Sequence, residues 1–286
     1  MNDVYMNELS VDGQFESMEK FSEAAVSVMK CLKYMKEHNG KVYKYSGFYN
    51  RKITKTETWH DLKRMRGDKF TRLKSLLVGT METPPYWDLQ DSWEQDVEAE
   101  YRCEGMDVSM SSVAEAAEAD ALLISFPMER YQDKRLKIIK DDKKEFILPS
   151  AVTLKFLIDS LKDKDQIGIN EYLCDRYAGT RLDFSKMELR YGLHNFEKEE
   201  IEDCLRTFDK FVKLEDWNAV FQDESLRYKK YSPSSKENDW FSRGKYADKE
   251  IDKFRCVNPK RCFGYREGDT FYVLRMERDH KISDKG

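Results

Sequence analysis

The sequence predicts an α+β fold: a central mixed sheet, several amphipathic helices packed on it, and a C-terminal β-hairpin. Three observations carry that expectation. Apolar residues recur at three- and four-residue spacing over 17–38 and 197–212, which is the period of a helix with one buried face. The run Ala121-Leu122-Leu123-Ile124-Ser125-Phe126 has no alternation, as suits a strand covered on both faces. Near the end, 262–266 and 270–276 flank the turn residues Glu267-Gly268-Asp269, which is a hairpin pattern.

Taken in order, residues 4–9 read as a first strand, followed by the turn Asp12-Gly13. The helix over 17–38 has Ser17 at its N-cap and Gly40 at its stop, with Met18, Phe21, Ala25, Val28, Leu32 and Met35 on one face. A short strand over 42–45 comes next. Residues 54–80 read as helical, with Thr54 and Glu57 at capping-box spacing, and Pro84-Pro85 must end that helix because neither proline donates a backbone hydrogen bond. Ser112 and Glu115 have the same spacing before an alanine-rich helix. Strands over 136–139 and 146–148 pair through the turn Asp141-Asp142-Lys143. Ser150 opens a further helix to about residue 161, and another spans 171–177 and stops at Gly179. Residues 187–191 read as a strand. The helix over 197–212 carries acids in its first turn, where the dipole favours them.

Composition limits the function classes. With 40 % apolar and 13 % aromatic residues among 286, and only 13 Gly and 6 Pro, the chain buries a core and is not a disordered or low-complexity one. It has no apolar run of about 18 residues, so no membrane span is expected. The N-terminus shows no export signal, and the six cysteines are scattered without a CxxC pair. Reduced thiols in a cytoplasm follow as the expectation. No Walker A loop, HExxH pair or GxSxG elbow occurs. A zinc site from Cys256, Cys262 and His280 would follow no ordinary ligand spacing, and no metal or cofactor is expected.

Charge is uneven. Residues 227–286 hold 16 Lys/Arg against 10 Asp/Glu, a net +6, whereas the rest holds 34 against 44, a net −10. This shift predicts a mixed α/β main domain over 1–226 and a basic C-terminal segment over 227–286 packed on it, with 229–236 as the linker. A basic island also lies at 51–74, with nine Lys/Arg against three acids, and 82–104 inverts it with eight acids and Arg102. Two basic segments interleaved with Trp59, Phe70, Tyr228, Tyr231, Trp240, Phe241 and Phe254 fit a groove that tracks phosphates and stacks bases. Its candidate cations are Lys63, Arg64, Arg66, Lys69, Arg72, Lys229, Lys230, Lys260 and Arg261. RNA, DNA or a protein partner is the expected ligand.

A metal-independent ribonuclease needs an acid or base and cations around the scissile phosphate. His280, Arg278, Arg266 and Lys281 would supply those types. The hairpin that carries them resembles the closing strands of RelE/ParE-type toxins over about 30 residues, although those toxins are single small domains. The opening residues 5–15 resemble the start of uncharacterised bacterial proteins, some associated with phage-defence gene clusters. These resemblances imply a prokaryotic defence or toxin-like component with ribonuclease activity. The alternative is a non-catalytic adaptor subunit of a bacterial multi-protein system.

Overall fold

The structure is a computed structural model and describes residues 3–235 and 237–279. The chain forms two compact units, 1–166 and 167–286, and the fold is α+β as predicted.

In the first unit, β1 (Val4–Met6) leads to α1 (Met18–Glu37), whose Ser17 cap accepts from the Lys20 N–H. All six apolar residues predicted for the α1 face are buried. At its end Asn39 takes the left-handed conformation and the Gly40 N–H bonds to the Met35 carbonyl. β2 (Val42–Tyr43) then lies parallel to β1.

The helix expected over 54–80 is broken into α2 (Trp59–Arg64) and α3 (Asp68–Leu73), the latter continuing through a wider π-type turn at Lys74–Val78 into α4 (Gly79–Glu82). Two local causes account for the difference. Thr58 with Asp61 makes the capping box, while Thr54 and Glu57 bond within the preceding turn. Gly67 at φ 113° then interrupts the helical backbone.

β3 (Tyr101–Cys103) and β4 (Met106–Asp107) precede α5 (Ser112–Glu118) and β5 (Leu122–Ile124). Ser111 caps α5 in place of Ser112, because the Glu115 carboxylate is taken by the Glu94 and Gln95 N–H groups at 2.8 and 3.1 Å. β6 (Lys134–Lys140) and β7 (Lys144–Ala151) form the predicted hairpin, with Leu136 opposite Leu148. Ser150 stays in β7, and α6 (Leu154–Asp163) starts from Thr153. The sheet order is β2-β1-β5-β7-β6-β3-β4. The first four strands are mutually parallel and the last three antiparallel, so the fully buried β5 is central, as its unbroken apolar run requires.

A buried polar seam closes the carboxyl ends of β1, β5 and β7. The Asn7 amide donates to Ser125 Oγ at 2.9 Å, Ser125 and Ser150 share a hydrogen bond at 2.7 Å, and Ser150 donates to the Tyr131 carbonyl. Glu8 is fully buried beside it. Its Oε1 accepts from the Ser112 N–H at 3.0 Å, and its Oε2 has no partner. Burial therefore raises its carboxyl above the usual value, against the lowering effect of the Ser112 hydrogen bond.

The second unit opens with α7 (Ile169–Arg176) and β8 (Leu182–Asp183). α8 (Lys198–Lys213) and α9 (Trp217–Gln222) follow, and then β9 (Lys229–Lys230), β10 (Asp252–Arg255), β11 (Arg261–Glu267) and β12 (Thr270–Glu277). The sheet order is β8-β12-β11-β10-β9. Residues 189–191 form a short 3-10 turn and not the strand expected there. Lys229 and Lys230, expected to start a linker, pair with β10 as an edge strand, and Tyr231 after them is buried.

One sheet face packs Phe254 and Phe271 on Phe208 and Phe211 of α8. The other is partly covered by Tyr231, Trp240, Phe241 and Tyr246, which gather on Phe263 and Tyr265. Gly264 sits where a Cβ would come 2.1 Å from the Tyr272 carbonyl oxygen and 2.6 Å from the Phe271 ring. β11 and β12 shift register at that point, between Phe263 and Gly264.

Two stability outcomes follow. Gly264→Ala should destabilise the second unit by about 3 kcal/mol or more, read by urea unfolding, since the obstructing atom is backbone. An unchanged midpoint would contradict the close approach. Glu8→Gln, which mimics the protonated acid, should be at least as stable as wild type at neutral pH. The sign follows from the raised carboxyl. The folded state keeps the proton that the unfolded chain releases above about pH 4.5, so wild-type stability falls with rising pH while the variant's does not. Parallel pH profiles for the two proteins would contradict this.

Candidate nucleic-acid interface

β9, β10 and β11 bring cations onto one face of the second sheet by alternation and register. Residues two apart in a strand share a face, and directly paired residues share it too. Lys253 lies opposite Lys229 on one side and Phe263 on the other, and Arg255 lies opposite Arg261. Arg261 in turn faces Glu277 of β12. Two cross-strand pairs therefore juxtapose like charges, Lys229–Lys253 and Arg255–Arg261, and Arg227 adds its charge to Arg261.

Within this ladder Glu277 is the one acid among the described residues. Lys229 and Arg227 are exposed, Arg255 and Arg261 half-buried, and Lys253 buried. The Arg255 Nε has no hydrogen-bond partner, and the Arg261 Nη1 donates to the Pro259 and Lys260 carbonyls. Burial, followed by the neighbouring Lys229 charge, lowers the Lys253 ammonium below its usual range. Burial and the Arg255 charge do the same to Arg261. Such an arrangement stabilises an anion laid across it.

The other predicted cations are placed differently. Lys260 is buried against Glu200 at 2.9 Å. Arg278, just past β12, reaches Glu200 at 2.8 Å, Glu197 at 3.4 Å and the Asn195 carbonyl. Those two cations are compensated by the first turn of α8, and Lys260 holds the Glu200 carboxyl below its usual value. Arg266 lies at the turn end of the hairpin, paired with Phe271, with its guanidinium 4.2 Å over the Trp217 ring. Arg278 follows the opposite end, so these two do not converge. His280 and Lys281 lie outside the described residues. Lys230 pairs with Glu250 at 2.5 Å.

In the first unit Lys63 pairs with Glu82 and covers the Tyr49 ring, and Arg64 and Arg66 are exposed. Lys69 and Arg72 are on α3, and only their backbone positions are described. The aromatic half of the expectation is corrected. Trp59, Phe70, Tyr231, Phe241 and Phe254 are buried core rings and offer no face to a base. Trp240 is half-buried and lines a cavity of about 310 Å³ with Arg190, Tyr191 and Asn195.

The sequence predicts no strand at 252–255, so the alignment of Lys253, Arg255 and Arg227 with the other cations emerges only in the structure. The alternating Asp252-Lys253-Phe254-Arg255, bounded by Ile251 and Cys256, was the available signal. Arg275 shares the face but is spent internally: Glu188 holds it at 2.7 Å, and Tyr191, Trp240 and Phe241 surround its guanidinium. No family model, curated protein or solved structure matches the chain.

Removing one member of a like-charge pair should relieve repulsion. Arg255→Gln is expected to raise stability by about 0.5 kcal/mol at low ionic strength, with the gain shrinking as salt screens the pair. Thermal unfolding at two salt concentrations measures this, and a loss of stability at low salt would show that Arg255 is compensated in some other way.

Proposed function

We propose that this protein binds nucleic acid through phosphate contacts on the cationic face of its second sheet. The observation that carries the reading is the opposition of Arg255 to Arg261. Folding alone disfavours such pairs, and a phosphate between them would offset the repulsion on both strands. Recognition is of the backbone, so sequence discrimination should be weak. Glu277 beside Arg261 limits the charge of the ladder and sets one border of the contact.

The toxin-like resemblance adds strand cleavage and a bacterial defence setting to the proposal. Cleavage draws no support from Arg266 and Arg278, which lie at opposite ends of the hairpin, and it is tested separately through His280→Ala.

The binding test is a salt titration of the full chain against labelled RNA and DNA, with the strands run afterwards on a denaturing gel. Affinity should fall steeply with salt. Arg255→Gln with Arg261→Gln should flatten the log–log slope by about 1.5, since each lost phosphate contact removes about 0.7–0.9. Absent binding at low salt, or a slope untouched by the double variant, would remove this face from the reading and favour a protein partner. Shortened strands that His280→Ala abolishes would establish cleavage, and intact strands would leave a binding protein.

A further inference from the structure

Lys44 is a buried cation with no carboxylate among its described partners. Lys44 follows β2 and is 1 % exposed. Its Nζ donates to the carbonyls of Pro85 at 3.1 Å and Val42 at 3.4 Å and stands 4.8 Å over the Tyr86 ring. An uncompensated ammonium at such a depth is costly. Burial accordingly lowers its pKa to about 8, so a sizeable neutral fraction exists near neutrality.

Lys44 lines a cavity of about 570 Å³ between the end of α1, β2 and the π-turn leading to α4. The remaining polar lining is Lys36, Lys41, Asn39, Ser75, Thr80 and Thr83. Among the described residues no acid borders it, although the chain has more Asp and Glu than Lys and Arg, 54 against 50. Lys36 and Lys41 are exposed at its rim. The lining thus combines one buried cation, two exposed cations and short hydroxyls, and its volume is within the range of small-ligand sites. Phosphate fits this chemistry, because it accepts several hydrogen bonds while carrying the charge that the buried ammonium lacks.

We propose that this cavity is a binding site for a small phosphorylated molecule, with Lys44 on its floor and Lys36 and Lys41 at its mouth. The site belongs to the first unit alone and does not depend on the cationic sheet face. Lys44 is buried and the cavity has the volume of a small-ligand site, so a free, nucleotide-sized ligand is the better occupant. The lysine would act as a fixed charge. Its neutral fraction also makes it addressable by an aldehyde probe.

The experiment uses the full chain, with inorganic pyrophosphate as ligand probe and pyridoxal 5′-phosphate plus borohydride as the label. In labelling, the neutral amine adds to the aldehyde, a C–N bond forms, the carbonyl oxygen leaves as water, and borohydride delivers hydride to the resulting C=N bond. Mass mapping should find Lys44 labelled ahead of exposed Lys33, with its rate rising through about pH 8, and saturating pyrophosphate should slow it about tenfold. Lys44→Met should abolish calorimetric pyrophosphate binding. In case that variant misfolds, Lys36→Gln with Lys41→Gln, at exposed positions, should weaken binding about tenfold with unfolding unchanged. Labelling of Lys44 that pyrophosphate does not slow, or pyrophosphate binding indifferent to the Lys36/Lys41 change, would overturn the proposal. Protection by a 5′-phosphorylated oligonucleotide and none by pyrophosphate would overturn the small-molecule assignment.

Discussion

The first unit depends on how three parallel strands end together in a dry interior. Asn7, Ser125 and Ser150 stand at the carboxyl ends of β1, β5 and β7, and each hydroxyl or amide finds its partner on a neighbouring strand. Ser10 extends the seam by donating to the Asn7 carbonyl and accepting from the Phe126 N–H. A buried polar group without a partner costs about 1–3 kcal/mol, so any slip of register between these strands would strand several at once. The seam therefore specifies strand order more sharply than the surrounding leucines and valines can. It also fixes α5, whose first N–H is held by Glu8. The Glu8 Oε2 has no partner there, and burial raises the carboxyl above its usual value, which favours the neutral acid at this depth.

In the second unit the governing constraint is steric. At Gly264 the paired strands β11 and β12 approach so closely that no side chain fits. That approach lets Phe271 reach Phe211 and Phe254 on one side, while Phe263 joins Trp240 and Tyr231 on the other. The same hairpin distributes charge. Arg275, Lys260 and Arg278 are drawn to Glu188, Glu197 and Glu200, carboxylates that precede or open α8. The cross-strand opposition of Arg255 to Arg261 has Glu277 beside it. A net charge of +6 over the last 60 residues is thus a poor guide to where the positive potential lies.

Period and punctuation made much of this fold legible. The α1 face, the buried β5, the β6–β7 hairpin and the closing hairpin all follow from residues within a few positions of one another. The errors occur where two nearby signals compete. Thr54 and Thr58 both offer a capping box, and Ser111 and Ser112 both offer a cap; the winner is decided by tertiary partners such as Trp87, whose indole N–H takes the Ser112 hydroxyl. The site was less legible. Lys229 and Arg261 were visible as charges, but their opposition to Lys253 and Arg255 depends on strand register, which no local pattern encodes. Aromatics near basic residues suggested stacking, yet most of these rings are needed for the core of their own unit.

Lys44 and the Arg255–Arg261 pair differ in burial, and burial separates what each can serve. On the β9–β11 face the guanidinium groups are half-exposed and spread along two registers about 7 Å apart, so a long ligand can follow them and exchange its counterions for their charge. Lys44 is 1 % exposed and borders a cavity of about 570 Å³, a volume that suits a small ligand. A desolvated ammonium gains more from each approaching anion than an exposed one, because less water competes for it. It also discriminates by size, since the cavity wall and not the charge sets what reaches it. On the proposed reading, the sheet face makes weak, salt-sensitive contact with a chain of phosphates, and the Lys44 cavity selective contact with one or two.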